Sequence, residues 1–146
     1  MSNTHNHFLT PEDEQGVIDA IKQAEYNTSG EIRVHIEKKA EKAALERAEE
    51  VFELLEMHNT ELRNGVLIYV SIEDKTFAIC GDKGINEAVA PDFWDSTKNI
   101  MQAHFKKGEF KQGLIEGIAK AGEQLKAFFP YQKDDINELP DEISKG

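Results

Sequence analysis

The chain has 146 residues, of which 39% are hydrophobic and 31% are charged, as expected for one globular domain with a single core. Its 28 acidic residues outnumber its 17 lysines and arginines, which gives a formal charge of −11. An electrostatic field of that sign repels nucleic acid and anionic membrane surfaces and attracts cations and basic partners.

Cysteine content and hydropathy indicate the cellular compartment. Cys80 is the only cysteine, so an intrachain disulfide and a cysteine-based zinc site are excluded. Residues 1–7 are polar and lack the basic and apolar regions of a signal peptide, and residues 1–9 are expected to be a flexible N-terminus. No apolar run approaches the roughly 20 residues needed to span a bilayer. We therefore expect a cytoplasmic protein without a membrane anchor.

The first half of the chain predicts a helix–strand–helix–strand unit. Thr10 is a suitable N-cap and Pro11 a suitable first residue for the first helix. Apolar and polar residues then alternate over 32–36, as in a strand that has one wet face or lies at a sheet edge. A helix over about 41–58 and a nearly continuous apolar strand over 65–70 complete a parallel crossover.

The second half predicts a hairpin and two more helices. A turn at 73–75 leads into an antiparallel strand over 76–80. Pro91 and Asp92 open a helix, and a last helix runs from Gly108 to Pro130, with two glycines expected to allow close packing on the sheet. Residues 130–146 are acidic, poor in apolar side chains and expected to be mobile. Residues 10–129 are expected to form a three-layer α/β/α sandwich around a small mixed sheet.

Three loops are predicted to meet at one edge of this sheet. They are loops 28–31 and 59–65, which precede the two parallel strands, and loop 81–84, which follows the returning strand. Carboxylate and amide oxygens in these loops are suitable ligands for a hard cation, and two more aspartates follow closely in sequence. The predicted ligands of a divalent cation, Ca²⁺ or alternatively Mg²⁺, are Glu31, Asn64, Asp82, Asp92 and Asp95.

Structural roles compete with this interpretation. Asp92 and Asp95 suit the cap and the first turn of a helix. Arg63 could hold a phosphoryl group, and it is equally suited to pair with a neighbouring carboxylate and fix the loops. Cys80 lies in a predicted strand, so it is expected to be an inert core thiol.

Four segments, 30–34, 63–68, 81–85 and 105–114, resemble the TPM domain family. The resemblance covers roughly 10–129 and is strongest to short bacterial members; the family also includes thylakoid-lumen proteins of photosystem II repair. It implies an α/β/α sandwich, acid phosphatase activity as in a plant member, and binding of calcium or other divalent ions as in bacterial members. The positions that match the family's loops are Glu31, Arg63, Asn64, Gly65, Gly81, Asp82, Gly84 and Asp92.

Three functions therefore remain open at the level of sequence. The first is divalent-cation binding at the sheet edge. The second is a metal-assisted acid phosphatase at the same edge, with Asp82 or Asp92 as nucleophile or metal ligand and Arg63 as the clamp. The third is a protein-interaction module whose acidic tail or apolar patch engages a basic partner. The chain shows neither the signal peptide nor the membrane segment that flank the domain in many relatives, which argues against a role in membrane repair.

Overall fold

The computed structural model describes residues 9–131 and 143–145. The expectations for the N-terminus and for most of the acidic tail concern residues outside these ranges. In chain order the elements are α1 (Pro11–Glu25), β1 (Glu31–Glu37), α2 (Ala44–Leu54), β2 (Gly65–Ser71), β3 (Thr76–Gly81), α3 (Lys83–Ala88), α4 (Asp95–Phe105), α5 (Phe110–Phe128) and β4 (Ile143–Lys145). None of these helices is long and apolar enough to cross a membrane, judged over the described residues.

The four strands form one mixed sheet in the order β3-β2-β1-β4. β1 runs parallel to β2 and to β4, whereas β3 returns antiparallel to β2 through the predicted hairpin. On one face, the apolar side chains of β1 and β2 pack against α1, α4 and α5. On the other face, Leu67 and Tyr69 pack against Ala48, Val51 and Phe52 of α2. This arrangement confirms the three-layer α/β/α sandwich.

Local signals explain where two helices begin and end. The Thr10 side chain accepts from Asp13 N–H at 3.0 Å, and the Asp13 carboxylate accepts from Thr10 N–H at 3.1 Å, which makes the predicted start a full capping box. α2 ends four residues before the predicted position. Glu56 adopts a left-handed φ of 54° and Met57 N–H donates to Phe52 O at 3.1 Å, which is the pattern that terminates a helix.

The prediction that β1 has a wet face or lies at an edge is wrong. All seven residues of β1 are buried, because β4 covers its second side and its polar side chains are engaged in contacts. Ile143 of β4 pairs with Val34 and is itself buried. Residues 143–145 thus form a strand, although the sequence places them in a mobile tail.

Two further details of the second half differ from expectation. The helix expected to open at Pro91 and Asp92 begins at Asp95, after a turn. The glycines of α5 pack closely against α4 and not against the sheet: a Cβ on Gly113 would lie 2.5 Å from the Phe105 ring, and one on Gly117 would lie 2.5 Å from Met101 Cγ.

Candidate functional site at one edge of the sheet

The sheet brings the three predicted loops together at one edge. Glu31 and Gly65 are aligned at the starts of β1 and β2, and Glu31 N–H donates to Asn64 O at 3.3 Å. Asp82 follows β3 at the same edge, where its N–H donates to Gly65 O at 2.9 Å. The three side chains are nearly inaccessible, with exposed fractions of 5% for Glu31, 2% for Asn64 and 5% for Asp82. The edge therefore holds two buried carboxylates and a buried amide.

Arg63 forms a two-pronged ion pair with Asp82. Its Nε lies 3.0 Å from Oδ2 and its Nη2 lies 3.2 Å from Oδ1, which is the geometry of a bidentate guanidinium–carboxylate pair. The hydrogen bonds and charge of Asp82 raise the pKa of Arg63. Oδ1 also accepts from Lys83 N–H at 2.7 Å, so Asp82 caps α3, a short helix where a loop was expected. Of the roles open to Arg63, the structure shows the pairing that fixes the loops.

The backbone around Arg63 is held as firmly as its side chain. Its φ of 51° lies in the left-handed region, and its carbonyl accepts from Gly84 N–H at 2.8 Å. A Cβ on Gly84 would lie 2.2 Å from Leu62 O and 2.6 Å from Arg63 O. The close approach of the two loops therefore requires glycine at this position.

Asn64 connects the edge to the loop before β1. Its N–H donates to Thr60 Oγ1 at 3.2 Å, and its Nδ2 donates to Ser29 Oγ at 3.3 Å. The Thr28 hydroxyl accepts from Gly30 N–H at 3.0 Å. These bonds orient the amide of Asn64 and join loop 59–65 to loop 28–31.

The structure does not bring Asp92 and Asp95 into the same group. Both are exposed, and Asp95 N–H donates to Asp92 O at 3.0 Å within the turn before α4. Asp95 lines a groove along β3. Over residues 9–131 and 143–145, no three His, Cys, Asp or Glu side chains form a group that could hold a metal ion.

Two further side chains have the chemistry of reactive groups, Cys80 of β3 and His58, which follows α2 in the chain. Burial raises the pKa of Cys80 to about 11, with Glu49 and Asp82 adding to the effect, so its thiol stays protonated at neutral pH. His58 is half-buried, and no described residue forms a hydrogen bond with its Nδ1.

A buried polar network at the far end of β1 was not identified from the sequence. Glu37 accepts from Arg47 Nε at 2.9 Å and from Arg47 Nη2 at 3.1 Å, and also from the Tyr69 hydroxyl. His35 Nε2 lies 3.1 Å from Glu37 Oε1, and His35 Nδ1 lies 3.0 Å from Ser144 Oγ of β4. Charged residues alternating with apolar ones in β1 were the only sequence signal, and that pattern ordinarily indicates a wet strand face.

The network changes the acidity of its members. Burial would raise the pKa of Glu37, but hydrogen bonds from Arg47, Tyr69 and His35 outweigh burial and lower that pKa to about 2. Burial lowers the pKa of His35. Burial and the bond to Glu37 raise the pKa of Tyr69. A carboxylate that already accepts four donors has little capacity left for a ligand, so this network is structural.

The fold and the loop contacts define a small α/β/α domain in which a glycine-dependent contact joins two loops at the sheet edge. The model of the TPM domain matches residues 2–124, and the chain belongs to the TPM domain family. No curated protein sequence matches the chain.

Two solved structures are similar to this one. The BA42 protein from the psychrophilic bacterium Bizionia argentinensis, determined by NMR, is 61% identical over 95% of this chain and 96% of its own, with a TM-score of 0.90. The N-terminal domain of a protein from P. gingivalis, also determined by NMR, is 14% identical over 86% of this chain and 82% of its own, with a TM-score of 0.69. The second similarity shows the shared fold alone.

Proposed function

We propose that the chain binds a divalent cation at the edge formed by loops 28–31, 59–65 and 81–84. The observation that carries this proposal is the burial of Glu31, Asn64 and Asp82 side by side at that edge. Burying carboxylates is costly unless positive charge compensates them. Arg63 supplies that compensation at Asp82, and a cation could take its place.

The donor set fits a weakly held, partly hydrated cation. Backbone carbonyls at this edge are engaged in joining the loops, as Asn64 O, Gly65 O and Arg63 O each accept an N–H. A cation would therefore be held by side-chain oxygens and several waters. Ca²⁺ normally takes six to eight oxygens, whereas Mg²⁺ keeps several waters and needs only one or two carboxylates. We expect dissociation constants of about 0.1–1 mM for Ca²⁺, in the range of weak protein sites.

The role of Arg63 sharpens the test. Its side chain is 47% exposed, whereas that of Asp82 is 5% exposed, so the guanidinium can swing into solvent while the carboxylate stays in place. Arg63 then competes with the cation for Asp82. Substituting Arg63→Gln should raise the affinity for Ca²⁺ several-fold, whereas Asp82→Asn and Glu31→Gln should lower it.

The experiment is a titration with Ca²⁺ and with Mg²⁺ followed by backbone amide NMR. We expect shifts confined to residues 28–31, 59–65 and 81–85. Asp19→Asn, an exposed change on α1, is the matched control for Asp82→Asn and should leave binding unchanged. Shifts scattered over the acidic surface, or equal affinities in Asp82→Asn and Asp19→Asn, would contradict the proposal.

Phosphatase activity is the second candidate, supported by the exposed guanidinium beside a buried carboxylate at the same edge. Arginine suits the binding of phosphoryl oxygens. Purified protein should then hydrolyse a chromogenic phosphate monoester with added Mg²⁺ or Ca²⁺, and Asp82→Asn should abolish turnover while Asp19→Asn preserves it. Absence of turnover from acidic to neutral pH with either metal would remove this candidate and leave cation binding intact.

A further inference from the structure

β3 is an edge strand, because it lies at one end of the order β3-β2-β1-β4. The bond from Asp82 N–H to Gly65 O, 2.9 Å long, shows which residues pair with β2. Residues of an antiparallel strand alternate between pairing with one neighbour and facing away from it. Phe77, Ile79 and Gly81 therefore direct their backbone groups away from β2. The carbonyl of Gly81 already accepts from Asn86 Nδ2 at 3.1 Å, so Phe77 and Ile79 are the residues that offer both backbone groups to the open side of the sheet.

The open side of β3 forms the floor of a groove of about 520 Å³. One wall includes Leu45 of α2, whose exposed fraction is 53%, and the other is the polar face of α4 that carries Lys98, Asn99 and Gln102. Helices on both sides leave room for one extended segment. The same two helices flank β3 in every copy of the chain, so the helices of two copies would collide before their β3 strands could pair.

The groove has a defined direction. The Phe77 ring near the start of β3 lies 5.3 Å from the Phe105 ring at the end of α4. The end of β3 is therefore close to the start of α4, where Asp95 is located. The charge of Asp82, which also lies at this end, is compensated by Arg63.

The two ends of the groove carry opposite charges. Lys75 lies at the end where β3 starts. Asp95 lines the other end. Lys98 lies between them, one turn along α4 from Asp95. Among the side chains that line the groove, charge thus runs from positive at the start of β3 to negative at its end.

We propose that the edge of β3 binds an extended segment of a partner protein as an additional antiparallel strand. Such a strand begins beside Asp95 and ends beside Lys75, so it carries a basic residue at its N-terminal end and an acidic residue at its C-terminal end. Its side chains alternate, with apolar ones toward Leu45 of α2 and hydrogen-bonding ones toward the polar face of α4. The backbone supplies affinity, and the charges set the direction.

Two synthetic peptides with blocked termini test this proposal. One has the sequence Lys-Val-Thr-Val-Thr-Val-Glu, and the other exchanges its lysine and glutamate. We expect the first to shift the amide signals of Phe77 and Ile79 in an NMR titration, and to bind about threefold more tightly than the second, as expected for exposed charge pairs.

Charge-reversal variants provide the second measurement. Asp95→Lys should weaken binding of the first peptide and strengthen binding of the second. Asp19→Lys makes the same change of charge on α1, away from the groove, and should leave the affinity for both peptides unchanged. The proposal is overturned if neither peptide shifts the β3 amides, if both bind equally, or if Asp19→Lys has the same effect as Asp95→Lys. A concentration-dependent rise in mass without peptide would assign the edge to a second copy and would likewise overturn it.

Discussion

At the scale of single residues, the approach of Gly84 to the turn before β2 holds the candidate site together. A Cβ at this position would lie 2.2 Å from Leu62 O, and backbone atoms cannot rotate away as a side chain can. Gly84→Ala should therefore lower the free energy of unfolding by roughly 2–4 kcal/mol, measured by urea denaturation. Gly81→Ala is the control, since its Cβ would meet Ile85 Cγ2 at 3.3 Å. Equal losses in both variants would contradict this account.

Also at the scale of single residues, the Tyr69 hydroxyl donates a hydrogen bond to the buried Glu37 carboxylate. Tyr69→Phe keeps the packing of the ring but removes one of the donors that hold the Glu37 charge. We expect a loss of about 1–3 kcal/mol in the free energy of unfolding, together with a rise in the pKa of Glu37. Tyr26→Phe makes the same chemical change at a side chain that is 70% exposed and should be nearly neutral. If the two variants unfold at the same urea concentration, the hydrogen bond from Tyr69 does not stabilise the folded chain.

At the scale of elements, α5 depends on glycine for its contact with α4. Alanine at Gly113 or Gly117 would gain about 1 kcal/mol in helix propensity. The added Cβ would lie 2.5 Å from Phe105 or Met101, and such overpacking typically costs about 1–3 kcal/mol. The net result should be destabilisation, largest in the double variant, as measured by thermal unfolding.

Gly16 of α1 is the control for α5. A Cβ there would meet the flexible end of Lys111 at 3.0 Å, and that side chain can move aside. Gly16→Ala should therefore raise the melting temperature slightly through helix propensity. A rise in the melting temperature of Gly113→Ala would show that α4 and α5 adjust to the added carbon.

Elements with a strong local signal could be predicted from the sequence. The Thr10–Pro11 start of α1 and the unbroken apolar run of β2 depend on adjacent residues, and both are confirmed. β1 was misinterpreted because its burial depends on distant partners. Glu37 needs Arg47 and Tyr69, and a two-residue alternation of apolar and polar side chains does not reveal whether a polar residue meets water or a buried partner.

At the scale of the whole molecule, topology accounts for the part of the site that was predicted. Once two strands are parallel and the third returns, the loops carrying Glu31, Asn64 and Asp82 must share an edge, and they do. Nearness in sequence was a poor guide for Asp92 and Asp95, because the turn before α4 places them on the surface. The pairing of Arg63 with Asp82 depends on side-chain geometry, which the sequence alone does not determine.

The buried network makes the stability of the whole molecule depend on pH. The pKa of Glu37 falls from an ordinary value near 4.5 to about 2 in the folded chain. As the pH falls, the carboxylate of Glu37 is therefore protonated in the unfolded chain before it is protonated in the folded chain. The contribution of Glu37 to the free energy of unfolding is complete above pH 4.5 and is lost as the pH falls toward 2. The pKa of His35 is lowered from 6.5, so the unfolded chain also binds a proton more readily below pH 6.5. Both groups make the folded state less stable in acid.

Urea unfolding between pH 7 and pH 3 measures this dependence. The Glu37 share of the free energy of unfolding should reach up to about 3 kcal/mol at neutral pH and decline in the acid range. Arg47→Gln weakens the main donor to Glu37, so the pKa of that carboxylate should rise and the loss of stability should begin at higher pH. Glu73→Gln, an exposed change in the hairpin turn, should leave the shape of the curve as in the unmodified chain. If the free energies of unfolding of the unmodified chain and of Arg47→Gln fall in parallel with pH, the acid sensitivity comes from other groups. If the fall begins at higher pH in Arg47→Gln alone, the acid sensitivity comes from the network that joins α2 and β4 to the centre of the sheet.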